Sequence, residues 1–266
     1  MDQIIDGIIL GIVEGITEFL PVSSTGHLLL TQHFLNSHQS DAFNILIQVG
    51  PIVAVTLVFW RQILDFFIKY NDPQVRDEAI KLISCFVLTG IGGLIAKKSG
   101  LSLPETVLPI AIATLLGAFV IFWAEWKTKG KVLSENITWW IVVAVAAGQL
   151  LAGIFPGTSR SGAAIIAALL LSLSRPKAVR FAFLVGIPTM FAAGGLQLKE
   201  AIDAGHAAEL ITPQAITAFS VATITAWVTV VWLLRFVQRK NFVPFAWYRV
   251  ILGIILISLM VTGVIA

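Results

Sequence analysis

Residues 14–27 read Glu14-Gly15-Ile16-Thr17-Glu18-Phe19-Leu20-Pro21-Val22-Ser23-Ser24-Thr25-Gly26-His27. Two carboxylates, four hydroxyls and an imidazole stand in a stretch that is otherwise apolar from Ile4 to Leu35. Such groups are expensive in apolar surroundings unless they meet partners or water, so their presence marks a working site. Glu14 and Glu18 are four residues apart and share one helix face. Two close carboxylates repel unless a cation or a shared proton relieves them. Beside phosphates, a divalent ion on oxygen ligands, Mg²⁺ or Ca²⁺, fits that need and makes Glu14 and Glu18 its expected ligands. His27 lies one helical turn past Ser24. That spacing suits a base toward the hydroxyl or an acid toward a leaving phosphate.

A second polar run, Thr158-Ser159-Arg160-Ser161-Gly162, follows Pro156 as Ser23-Ser24-Thr25 follows Pro21. Each run restarts an apolar helix after a proline break. Its hydroxyls can cap, and its free N–H groups favour an anion, most naturally a phosphate. Arg160 adds a planar cationic fork suited to phosphate oxygens. Ser23, Thr25, Thr158, Ser159 and Ser161 are therefore expected to bind a diphosphate.

The elements that position these groups must lie in a membrane. Of the 266 residues 57% are hydrophobic and 12% charged, and the mean hydropathy is +0.90. A soluble domain carries about 25% charged residues. Strand alternation of a membrane barrel is absent. The net charge of +3 does not point to nucleic acid, because the bases cluster in short loops beside apolar segments. Cys85, the single cysteine, excludes an internal disulfide and reads as a packing residue. No basic start or cleavage site follows Met1, so no removable signal is expected.

Shifted by about 135 residues, the chain matches itself weakly along its length. Gln149 falls on Glu14, the Pro156 run on the Pro21 run, and Gly253 on Gly117. Apolar segments cover 4–19, 23–36, 42–60, 80–96 and 105–126, then 137–154, 158–173, 178–196, 213–234 and 246–266. The first two of each half are too short to span, since spanning takes about 20 helical residues. The expected fold is thus an all-α polytopic membrane protein, 1–266 as one domain. Repeats 1–130 and 131–266 each hold a re-entrant helix hairpin plus three transmembrane helices, in inverted topology.

The bases agree with this arrangement. It puts Arg61, Lys69, Arg76, Lys81, Lys127, Lys129, Lys131, Arg175, Lys177, Arg180, Arg235, Arg239, Lys240 and Arg249 on one side, and only Lys97, Lys98 and Lys199 on the other. The rich side should be cytoplasmic. The Gly90-Ile91-Gly92-Gly93 and Gly194-Gly195 stretches are expected to permit close helix approach. Thr17 and Ser161 would also serve as plain backbone-bonding hydroxyls. His33, His38 and His206, near loops, read as ordinary.

On Glu14–His27 and Pro156–Gly162 the chain closely resembles the undecaprenyl-diphosphate phosphatases of the bacitracin-resistance type, over essentially its whole length. The resemblance implies an enzyme of the bacterial inner membrane. It would remove the terminal phosphate of a C55 polyprenyl diphosphate at the periplasmic face, recycling the carrier lipid for peptidoglycan synthesis. It implies Glu14 and Glu18 as the acidic pair, Ser24 as nucleophile or hydroxyl ligand, His27 as acid/base, and Arg160 as diphosphate clamp. A homodimer would fit. Whether Ser24 or His27 attacks is left open. The family's second motif usually carries Thr where this chain has Ala164. The competing class is an inverted-repeat anion or lipid transporter or flippase, since broken helices meeting at the midplane also build transporters.

Overall fold

The computed structural model of the chain describes residues 2–37, 39–101, 103 and 106–265, so His38 lies outside the described residues. Among these the chain forms α1 (Asp2–Thr17), α2 (Ser24–Phe34), α3 (Asp41–Val58), α4 (Trp60–Ile68), α5 (Pro73–Lys98), α6 (Val107–Thr128), α7 (Trp139–Ile154), α8 (Arg160–Leu170), α9 (Arg175–Asp203), α10 (Pro213–Phe236) and α11 (Val243–Val261). A short 3-10 turn, His206–Ile211, links α9 to α10. The only extended pairing among the described residues is an isolated bridge between Ser134 and Leu173. Helices α3, α5, α6, α9, α10 and α11 are long and apolar enough to cross a membrane. The protein is all-α and multi-pass.

Local chemistry sets the helix starts. Ser40, Thr138, Ser174 and Thr212 cap α3, α7, α9 and α10 by accepting a backbone N–H, and Asp72 does so for α5 ahead of Pro73. The two polar runs behave alike. Ser23 caps α2 through Gly26 N–H, and Ser159 caps α8 through Gly162 N–H. Both sit at positive φ, 78° and 68°. Among the described residues the other non-glycine positions at positive φ are Asn36 and Ser172, which follow the two caps at equal distance.

Packing directions can be read from close contacts. Gly7, Gly11 and Gly15 of α1 abut Gln214, Ala218 and Ala222 of α10 in rising order, so these helices run parallel. Cys85 and Gly92 of α5 meet Val142 and Leu150 of α7, also parallel. Helices α3 and α9 run antiparallel, with Val49 near Gly194 and Phe59 near Phe183. Helices α6 and α11 do likewise, with Gly117 against Arg249 and Leu115 against Gly253.

One end of the bundle gathers the basic loops. There Glu125 of α6 is buried, pairs with Arg175 and accepts Phe242 N–H at 2.8 Å. Ser134 exchanges backbone bonds with Ser172 and Ser174, both at 2.8 Å, so the end of α8 returns beside the start of α7. The largest apolar core, with Phe19, Phe59, Phe183 and Phe242, fills this half. Helix α4, absent from the sequence reading, lies here with Trp60, Phe67 and Ile68 exposed.

Two expectations need correction. Arg249 does not belong with the loop bases: it is 1% exposed, six residues into α11. Of the glycine stretches, Gly92 abuts Leu150 and Gly194 approaches Val49, but Gly90, Gly93 and Gly195 face no neighbour among the described residues.

Candidate active site

At the end away from the basic loops a cavity of about 1150 Å³ opens. Its inner wall carries Glu18, Ser24, Thr25, Ser159 and Arg160. Its mouth is polar, with Gln39, Ser40, Asp41, Asn44, Gln48, Gln197, Glu200 and His206. The starts of α2 and α8 thus face one space. Each cap serine takes one N–H group of its own helix. The N–H groups of Ser24, Thr25, Arg160 and Ser161 have no protein partner among the described residues. Two helix N-termini aimed at one cavity favour an anion, and Arg160, without an ion pair among the described residues, adds a full charge.

The breaks are tied together. Ser161 Oγ donates to the Glu18 carbonyl at 3.0 Å, and Ser159 Oγ to the Leu20 carbonyl at 3.3 Å. Arg249 closes the assembly. Its guanidinium donates to the carbonyls of Thr114 (3.0 Å), Ala113 (3.0 Å), Thr158 (3.1 Å), Gly157 (3.2 Å) and Pro21 (3.4 Å). Pro21, Gly157 and Thr158 lie at the breaks, where carbonyls lack helical partners and in a membrane must be satisfied from within, while Ala113 and Thr114 anchor the guanidinium to α6. The sequence reading missed this residue. The signal was available, a charge inside an apolar segment, but starting that segment at 246 made Arg249 look interfacial.

Ser24 Oγ donates to Glu18 Oε2 at 2.6 Å. Glu14, one turn before Glu18, is fully buried, and neither of its carboxylate oxygens has a partner among the described residues. Gln149, which the sequence pairs with Glu14, is also buried with an unpartnered oxygen. The other expected residues take varied places. Thr25 and Ser159 line the cavity. Ser23 is 1% exposed and spends its hydroxyl on its cap. Thr158 donates to the Phe155 carbonyl at 2.7 Å and is not in the cavity wall. Ser161 faces a smaller recess behind Arg160, with Glu18 and Gln149. Thr17 bonds the Val13 carbonyl, the plain helix bond expected of it. His27 is not in the cavity wall; its ring meets Ser23 and Tyr248. Ala164 is 1% exposed in the apolar core, so this site takes no hydroxyl from that position.

The family model of the bacitracin resistance protein BacA matches residues 7–255. The chain belongs to the BacA family. Relatives agree along the full length. A Rhizobium etli protein named undecaprenyl-diphosphatase is 49% identical over 264 residues, 98% of this chain and 99% of its own. Proteins of the same name from Rhizobium johnstonii and Xylella fastidiosa are 47% and 43% identical, each over at least 97% of this chain and 99% of their own. The BacA match contains both breaks, Arg160 and Arg249.

Proposed function

We propose that the chain is a membrane phosphatase that cleaves undecaprenyl diphosphate to undecaprenyl phosphate and inorganic phosphate. The observation that carries this is the meeting of Ser24, Glu18 and Arg160 with two helix N-termini in one cavity. The names of the relatives supply the substrate. Arg160 and the N–H groups of the two breaks hold the diphosphate, with Thr25 and Ser159 lining the cradle and Ser23, Thr158 and Ser161 bracing the breaks behind it. Ser24 Oγ attacks the terminal phosphorus as its proton passes to Glu18. A P–O bond to serine forms, the anhydride bond breaks, and undecaprenyl phosphate leaves. Water then releases phosphate from the serine. Positioning and charge neutralisation supply most of the acceleration in such reactions. The unpartnered, buried oxygens of Glu14 fit a divalent cation held with Glu18, which would offset phosphate charge.

The orientation belongs to the same proposal. The cavity opens opposite the basic loops, so the positive-inside rule turns it to the periplasm of the bacterial inner membrane. Two inverted repeats over 1–130 and 131–266 are supported by the paired positive-φ residues and by the antiparallel runs of α3 with α9 and α6 with α11. Re-entrant hairpins α1–α2 and α7–α8 are supported by their lengths, 16 and 11 residues in each pair. Helix α5, the least covered of the six long helices, leaves room for a second copy, and molar mass in detergent by light scattering checks the homodimer.

Phosphate release from C55 diphosphate by purified protein is the deciding measurement. The expected result is metal-dependent release, nearly abolished in Arg160→Ala and Glu18→Ala while both variants stay folded. An active Arg160→Ala protein sinks the clamp. The repeat arrangement also favours transport, and lipid or anion flux in vesicles without phosphate release would establish that instead.

A further inference from the structure

His27 sits beside the chemistry but faces away from it. Its Nδ1 lies 2.7 Å from the Ser23 carbonyl, and its Nε2 lies 2.7 Å from Tyr248 Oη. The two rings are parallel within 4°. A carbonyl only accepts, so Nδ1 carries a proton. In the neutral ring Nε2 then accepts from the Tyr248 hydroxyl. Tyr248 belongs to the exposed flank of α11, with Trp247 and Ile251, where acyl chains would lie. An imidazole nitrogen left bare there would be costly, and Tyr248 covers it. Both ring nitrogens are therefore occupied, and the Ser24 proton already has an acceptor in Glu18.

What the ring holds is a strained residue. Ser23, at φ 78°, directly precedes Ser24. Non-glycine residues persist there only where their surroundings fix them. The second break gives the comparison. Ala163 stands four residues past Ser159, as His27 stands four past Ser23. Ala163 N–H donates to the Ser159 carbonyl at 2.9 Å, an ordinary first helical bond. The matching bond from His27 N–H to the Ser23 carbonyl is stretched to 3.4 Å, and the imidazole takes the same oxygen at 2.7 Å. The side chain replaces a weakened backbone bond.

We infer that His27 is a positioning residue, which fixes Ser23 and through it the Ser24 hydroxyl, with Tyr248 holding its tautomer. This rests on Ser24 being the attacking group. Asn places a side-chain N–H where His has Nδ1, whereas Gln reaches the Nε2 position and Ala neither. His27→Asn should keep phosphate release within about ten-fold of the parent. His27→Gln and His27→Ala should lose about a hundred-fold, the scale of a misplaced reacting group. The pH profile of kcat/KM should keep its shape in His27→Asn. Tyr248→Phe should lower kcat with little change in KM, and less so on top of His27→Asn. Equal loss in all three His27 variants, with a limb of the pH profile removed and melting unchanged, would make His27 an acid or base and overturn the inference. An arm independent of turnover uses ¹⁵N-histidine NMR, with the His27 signal assigned by its absence in His27→Asn. The expected ring is neutral and protonated at Nδ1, with an Nε2 resonance that moves in Tyr248→Phe. A ring protonated at Nε2, or one unmoved by Tyr248→Phe, refutes the brace whatever the activity. Absence of phosphate release from the parent protein would sink the phosphatase alone, and the NMR arm would still decide the brace.

Discussion

Glu14 is a carboxylate with nowhere to put its charge: fully buried, without a hydrogen-bond partner among the described residues, one turn from Glu18. A bound cation resolves this directly, and Gln at the same position resolves it by removing the charge. The Glu14→Gln protein should need on the order of ten-fold to a hundred-fold more Mg²⁺ or Ca²⁺ for half-maximal phosphate release. A metal titration measures this. An unchanged requirement with a raised melting temperature would mean a shared proton holds the pair instead. At this scale much of the site was legible in the sequence. Glu14, Glu18 and Arg160 announced themselves as charges in apolar segments, and Ser24 by its place after a proline break. His27 shows the limit. Spacing along a helix says which residues share a face, not which way a ring turns when Tyr248, far off in sequence, offers it a hydroxyl.

Among the elements, α6 and α11 act together as the frame for both breaks. Gly117 of α6 lets the guanidinium of Arg249 lie against the helix backbone, and a Cβ there would collide with it. Gly117→Ala should therefore cost about 1–3 kcal/mol and lower kcat by loosening the carbonyls that Arg249 holds. Arg249→Met should cost more, about 3 kcal/mol or above, because several buried acceptors lose their donors together. Thermal unfolding in detergent checks both. The long helices were legible because each is an apolar run of spanning length. Helix α4 and the turn at His206–Ile211 were not, because neither crosses the membrane and hydropathy measures crossing. The positive φ of Ser23 and Ser159 was hidden for a different reason. Glycine usually marks that conformation, and here a network of carbonyl bonds enforces it on serine.

For the whole molecule, the distribution of bases makes a prediction about sides. Ser99 lies at the cavity end and Asn136 at the basic end, both exposed, while Cys85 is buried and should stay silent. In intact cells an impermeant thiol reagent should label Ser99→Cys and reach Asn136→Cys only after the membrane is opened. The reverse pattern would invert the proposed orientation. Among the described residues the cavity wall draws none from the basic end, and the aromatic core fills that half. One consequence concerns selectivity. A pocket that grips a diphosphate as proposed, by backbone N–H groups and one arginine, would have little means of refusing ADP or ATP. In the proposed orientation its mouth faces outward, where it would never meet them. The cytosolic nucleotide pool would be protected by the protein's address rather than by its recognition, and the release of phosphate outside would draw nothing from the energy stores within.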